Sequence, residues 1–260
     1  MIEIKGLSKI YSGKKVLDNA GMVINDGDIF SVIGPSGCGK STLLKCIVRL
    51  IKPDSGEILV DGKNVVPIED EFELARVRKD FGYLFQSGAL FDSLTVMENV
   101  TFGLQYLTDI PKREYPRIAR EKLALVGLEK AENLKPAELS GGMKKRAALA
   151  RAIAAEPKYI FYDEPTTGLD PITSDMVMGL ISDMAAKLKI TSIIVTHDIK
   201  LAFTISTRIA MLYNGNFNIS GTPEELRKSS NPVFREFTED ALFPDVQGRR
   251  HDLEMKHQRE

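Results

Sequence analysis

Two cysteines, Cys38 and Cys46, stand in a chain of 260 residues. They are too few for a disulfide framework and sit where reduced cytosolic thiols would. No apolar run approaches the ~18 residues of a membrane span. The N-terminus, Met1-Ile2-Glu3-Ile4-Lys5, alternates like a strand and lacks the apolar core of a signal peptide. The formal net charge is −1, so nothing global argues for nucleic acid or an acidic membrane surface as a partner. No internal repeat is visible. These absences leave a cytoplasmic chain of about one to two domains, which reaches a membrane only through a partner. Hydrophobic residues make up 43% and charged residues 27%, enough to bury a core beneath a solvated surface.

The most informative stretch is Gly34-Pro35-Ser36-Gly37-Cys38-Gly39-Lys40-Ser41-Thr42. It fits Gly-x-x-x-x-Gly-Lys-[Ser/Thr], the phosphate-binding loop of nucleotide triphosphatases. Gly34, Gly37 and Gly39 let the backbone take turns closed to other residues, so successive N–H groups can face one anion. Lys40 would place a cation at the β/γ phosphates of a nucleotide, and Ser41 a hydroxyl on Mg²⁺. The apolar run 29–33 suits a buried parallel strand before the loop. Residues 43–50 suit a helix with one apolar face after it.

In chain order, residues 2–33 read as strands and turns, with Tyr11 as a strand-end aromatic packing on a sheet. Pro53 is expected to end the helix after the loop. A strand at 57–60, a short surface helix over 68–79 and a strand over 81–85 follow, the last stopping at Gln86. Residues 87–138 read as a helical insert. It opens with the apolar loop Ser87-Gly88-Ala89-Leu90-Phe91. Thr95 and Glu98 form a capping-box pattern, and an apolar stripe lies at 118, 119, 123, 125 and 126. Ser140-Gly141-Gly142 can cap a helix running to about 155. By itself that reads as an ordinary glycine-containing cap. The apolar strand 159–164 ends in Asp163 and Glu164, where α/β folds bind ligands; a solvated strand end is the plain alternative. Asp170-Pro171 starts a helix to about 188. The strand 191–196 ends at His197, and a lone histidine there is more often structural than catalytic. Asn214-Gly215 signals a hairpin, and Thr222 with Glu225 another capped helix. Residues 231–260 read as a mobile tail. Phe234, Phe237, Leu242 and Phe243 within it are alternative candidates for docking on a partner.

The series is more specific than its members. Tyr11, the phosphate loop, Gln86, Leu139-Ser140-Gly141-Gly142, four apolar residues before Asp163-Glu164, Gly168-Leu169-Asp170 and His197 occur in this order. The sequence thereby resembles the ATP-binding-cassette family of ATPases over roughly residues 1–240. The resemblance implies an α/β P-loop NTPase fold: a mixed RecA-like core, an N-terminal antiparallel β-subdomain and an α-helical insert subdomain at about 87–155. Residues 241–260 would form a C-terminal tail. It implies that Tyr11 stacks on adenine and that Lys40 and the loop amides hold the phosphates. Ser41 and Asp163 would place Mg²⁺, Asp163 through water, and Gln86 would touch the metal and the attacking water. Glu164 would orient or deprotonate that water, and His197 would bond the γ-phosphate and position Glu164. Ser140, Gly141 and Gly142 would bind the nucleotide of an opposite subunit, with Asp170 near the seam. A chain with one copy of each motif would therefore pair with a second copy of itself.

In transporters of this family the insert receives short helices from integral membrane permease subunits. Phe85-Gln86-Ser87-Gly88-Ala89-Leu90-Phe91 and Met143-Lys144-Lys145-Arg146 are similar to the cassettes of Mla/Mce-type phospholipid transporters. That similarity implies an Mce-domain lipid-binding partner and a place on the cytoplasmic face of the inner membrane. An ATPase of a small-solute importer, such as one for polar amino acids, and a soluble non-transport assembly ATPase are the alternatives. Met143 stands where glutamine is usual and cannot donate hydrogen bonds.

Overall fold

The computed structural model describes residues 1–242. β-Friendly residues at the N-terminus build an antiparallel sheet. β1 (Ile2–Tyr11) pairs with β2 (Lys14–Ile24) on one side and β4 (Ser55–Val60) on the other; β4 pairs with the short β5 (Lys63–Asn64). Its inner face buries Ile2, Ile4, Leu7, Leu17, Ile24 and Ile58 against Leu43, Leu44 and Ile47 of α1 (Lys40–Ile47).

The second sheet carries the chemistry. Its order is β10-β9-β3-β8-β7-β6, formed by β3 (Ile29–Ile33), β6 (Phe81–Leu84), β7 (Tyr159–Asp163), β8 (Thr191–Thr196), β9 (Arg208–Tyr213) and β10 (Asn216–Gly221). All pairings are parallel except the β9–β10 hairpin. Every residue of β3, β7 and β8 is buried, as continuous apolar runs in a covered parallel sheet require. The register sets Ile33 opposite Thr196 and Asp163 opposite Val195. The loop after β3, the carboxylates after β7 and the histidine after β8 therefore leave the sheet at one lip.

Helices cover this sheet. On one side α3 (Val96–Thr101), α4 (Leu104–Leu107), α5 (Tyr115–Leu125) and α6 (Gly141–Ile153) share a core of Val96, Val100, Leu104, Ile118, Leu123 and Ala147. α7 (Pro171–Leu188) adds Val177 and Ile181 to the same core. α2 (Glu71–Arg78), α8 (Ile199–Ile205) and α9 (Pro223–Arg227) are short connectors. The capping boxes at Thr95/Glu98 and Thr222/Glu225 form in full.

Three expectations need correction. α1 stops at Ile47, well before Pro53, because Arg49 turns left-handed (φ +55°). Arg78 then donates to the carbonyls of Val48 and Arg49, which no helical turn satisfies. Leu125 does not join the buried stripe of α5; it is half exposed, and Val126 points inward instead. Residues 231–242 are not a free tail. Asn231 accepts from the Phe234 N–H at 3.0 Å and Pro232 opens α10 (Pro232–Leu242), a cap followed by proline in the first turn. Phe234 is wholly buried against Phe203, with Phe237 packed on the same cluster. Phe234 is therefore not free to dock on a partner, whereas Phe237 is only partly buried. The docking expectations for the Leu242 side chain and for Phe243, and that of a solvated tail beyond residue 242, rest on parts of the chain outside those described. Phe234→Ala should destabilise the fold by about 3–5 kcal/mol, the usual cost of emptying a buried aromatic site. Chemical denaturation measures it, and a change below about 1 kcal/mol would mean that α10 is not seated in the core.

Candidate nucleotide site

The loop between β3 and α1 needs its glycines. Gly34, Gly37 and Gly39 have φ of +152°, +76° and +107°. A Cβ on Gly34 would lie 2.3 Å from the Leu212 carbonyl oxygen, and one on Gly39 2.8 Å from that of Val16. Only hydrogen fits in either place. Beside the loop is a cleft of about 460 Å³ lined by Ser36, Gly37, Lys40, Ser41, Gln86, Glu164 and His197, among others. Lys40 is buried; its Nζ donates to the carbonyls of Gly34 (2.8 Å) and Pro35 (3.1 Å) and lies 3.8 Å from Glu164 Oε1. Pro35 and Cys38 line an adjoining hollow with Lys14 and Tyr213.

At the β7 lip, Ser41 Oγ donates to Asp163 Oδ1 at 2.7 Å. Hydroxyl, carboxylate and the Gln86 amide form a hard-oxygen donor set, which fits Mg²⁺ held partly by phosphate. Glu164 adopts a left-handed backbone (φ +50°). Its Oε2 faces His197 Nδ1 at 2.9 Å and accepts from Thr167 Oγ1 (3.2 Å) and Thr196 Oγ1 (3.4 Å). The carboxylate is thus fixed from three sides at the edge of the cleft. His197 is half exposed, and its Nε2 is left for another partner.

The motifs outside the cleft lie elsewhere. Tyr11, at the end of β1, is 42% exposed, with Lys9 Nζ 5.4 Å from its ring centre; it does not line the cleft. Ser140 caps α6, accepting from the Met143 N–H at 3.2 Å, and is exposed with Gly141. A Cβ on Gly142 would strike Thr173 Cγ2 at 2.5 Å, so Gly142 packs against the start of α7, whereas Gly141 faces open space. There Asp170 accepts from Thr173 N–H (3.0 Å) and Oγ1 (2.6 Å). None of Ser140, Gly141, Gly142 or Asp170 lines the cleft. Met143 packs on the helical core.

Sequence reasoning missed two residues. Tyr83, brought beside β7 by the parallel register, donates to Asp163 Oδ2 at 3.3 Å. Burial and the Asp163 carboxylate push the phenol's pKa well above its ordinary value, so it stays a donor. Lys145, buried on α6, donates to the Glu164 carbonyl at 3.1 Å. Burial pulls its pKa down, and Asp163 and Glu164 oppose that pull. No local pattern marks either residue, since each acts across elements.

Burial also pushes the Cys38 thiol up, against the nearby Lys40 cation. The thiolate is the reactive form, so alkylation should be slow at neutral pH and quicken about tenfold per pH unit while the thiol predominates. Maleimide labelling measures this; Cys46, buried and pushed up to about 11, should lag. ATP should slow Cys38 further. A rate independent of pH would mean that the thiol is already ionised.

Fold and site together define a P-loop nucleotide-binding protein with a RecA-like core. Residues 17–167 match the model of the ABC transporter family. The "Intermembrane phospholipid transport system ATP-binding protein MlaF" of Haemophilus influenzae is 41% identical over 231 residues, 89% of this chain and 87% of that protein. The "Probable ribonucleotide transport ATP-binding protein mkl" of Mycobacterium tuberculosis is 40% identical over 236 residues, 91% of this chain; the chain spans only 66% of that protein's length. Among solved structures, the dimeric post-hydrolysis state of the ATP-binding cassette MJ0796 bound to ADP and Pi superposes with a TM-score of 0.80 at 35% identity. That match covers 86% of this chain and 99% of the other. The chain belongs to the ABC transporter family, as one of its ATP-binding cassettes.

Proposed function

We propose that two copies of this chain close on ATP, hydrolyse it and reopen, and that the cycle drives a membrane permease that moves phospholipid. The observation that carries the reading is an incomplete site. Lys40, Ser41, Gln86, Glu164 and His197 share one cleft, while the exposed Ser140-Gly141 cap lies outside its lining. A second copy can bring its own cap to the open side. The helix start and its serine then face the γ-phosphate as anion donors. Lys40 and the loop amides hold the β/γ phosphates, and Tyr11 is a candidate for stacking on the adenine. Ser41, Asp163 and Gln86 would hold Mg²⁺, which supplies charge neutralisation at the transferring phosphoryl group. Glu164 orients or deprotonates the attacking water. His197 fixes Glu164 through Nδ1 and reaches the γ-phosphate through Nε2. Serving both as donor takes an N–H on each ring nitrogen. Closure depends on ATP and reverses with ADP, a switch set by differential affinity.

Support for a permease comes from an apolar groove of about 420 Å³ between the sheet and the helical layer. It is lined by Phe85, Phe91, Phe102, Leu104 and Leu107. Phe91 and nearby Tyr106 are 43% and 72% exposed, room for one short amphipathic helix from a membrane subunit. Among the described residues no helix is long and apolar enough to cross a membrane. The chain would sit peripherally on the cytoplasmic face of the inner membrane, with an Mce-domain protein as a further partner. Phospholipid as cargo is supported by the MlaF relative of Haemophilus influenzae, 87% of whose length is covered here. Affinity purification from gently solubilised membranes tests both parts. An integral membrane protein and bound phospholipid should co-purify. Recovery of the cassette alone would end the transporter reading; a permease without lipid would end the cargo reading.

A further inference from the structure

α6 carries three polar anchors along its length. Its N-terminus carries the exposed Ser140 cap, its middle carries Lys145, and Arg151 further along donates to the carbonyls of Gly88 and Ala89, both at 2.7 Å, just after Gln86. Lys145 is the least expected of these. Only 5% of it is exposed, and burying an ammonium is costly unless it is hydrogen-bonded. A residue that only filled space would be apolar. Its Nζ instead meets the Glu164 carbonyl at 3.1 Å.

Glu164 needs such a contact. A non-glycine residue at φ +50° holds that conformation only when its surroundings over-determine it. The Glu164 N–H bonds to the Val195 carbonyl at 2.9 Å, and its own carbonyl accepts from the Thr167 N–H at 3.3 Å. The side chain is tied to Thr167, Thr196 and His197. All of those partners belong to the turn after β7 or the end of β8. Among the hydrogen bonds of Glu164, the one from Lys145 comes from the helical layer.

We propose that Lys145 is a positioning residue for Glu164: its hydrogen bond fixes the left-handed backbone that aims the carboxylate into the cleft, so the seating of α6 sets the aim of the base. This rests on the reading of Glu164 as the group that activates water. Lys145 itself touches neither nucleotide nor water. The link gives the α6 cap, which a partner's nucleotide would engage, a direct mechanical connection to hydrolysis in its own chain.

Lys145→Met removes the donor at similar length, and Lys145→Arg keeps a cation that can donate. The first readout is amide hydrogen exchange of residues 162–168 in the nucleotide-free protein. Lys145→Met should speed it about tenfold, the loss of one net hydrogen bond, and Lys145→Arg should stay within about threefold of wild type. The second is kinetic. Lys145→Met should lower kcat about tenfold with little change in ATP affinity, and should cost nothing further in a Glu164→Gln background. Unchanged exchange in Lys145→Met overturns the proposal. So does equal disturbance by Met and Arg, or an undiminished kinetic cost in the Glu164→Gln background. Should Lys145→Met fail to fold, Lys145→Leu, which also lacks a donor, replaces it; faster exchange than wild type supports the proposal, and wild-type exchange overturns it. A wild-type chain without ATPase activity would sink the functional reading alone, and the exchange comparison would still decide this one.

Discussion

Glu164→Gln should slow ATP hydrolysis by about 10²–10⁴, the range for a lost general base, and leave ATP affinity near wild type. The substitution keeps the shape of the side chain and its hydrogen-bonding reach toward His197, Thr167 and Thr196. It removes the negative charge that would draw a proton from water. It also removes the ion pair with Lys40 at 3.8 Å, so the phosphate cation loses a competitor and nucleotide binding does not suffer. In the proposed cycle ATP holds two copies together and hydrolysis parts them, so the variant should accumulate as a closed pair. Steady-state phosphate release measures the rate, and nucleotide titration the affinity. Turnover close to wild type would show that another group activates the water.

Ser140→Arg should slow turnover to a similar degree while a single chain binds ATP as before. Ser140 is exposed and does not line the cleft that holds Lys40 and Glu164, so a long cation there cannot disturb phosphate contacts within its own chain. It does fill the space where a second chain's γ-phosphate would sit. Losing transition-state donors of this kind costs about 10²–10³ in rate, and the bulk of arginine adds a steric block to closure. The lost N-cap is worth about 1 kcal/mol, too little to unfold the chain. Ser140→Ala separates the two effects, because it removes the cap and the donor but leaves the space open. Loss of ATP binding by the Ser140→Arg monomer would place the serine in its own chain's site.

The architecture was legible because the motifs punctuate it. Glycines that only a phosphate loop needs, carboxylates at the end of an apolar run and a histidine at the end of another all fall at strand ends, and the parallel register aligns those ends. What stayed hidden depends on contacts between distant elements. The early end of α1 is capped by Arg78, which donates to the carbonyl of Val48 from thirty residues away. Tyr83 on Asp163 and Lys145 on Glu164 are visible only once β6 and α6 are laid against β7. The C-terminal helix was a different kind of miss. Asn231-Pro232 followed by Val233, Phe234 and Phe237 carries a cap and an apolar face in plain sequence, but the charged residues around them mask it.

The central claim is that one chain holds half of a working site. Sedimentation of Glu164→Gln with and without ATP and Mg²⁺ tests it most directly. The account predicts a single chain without nucleotide, a pair of chains with ATP, and a return to single chains when Ser140→Arg is added to the same protein. A chain that stays single at saturating ATP, and hydrolyses it in the wild-type form at a rate per molecule unchanged by dilution, would contradict it.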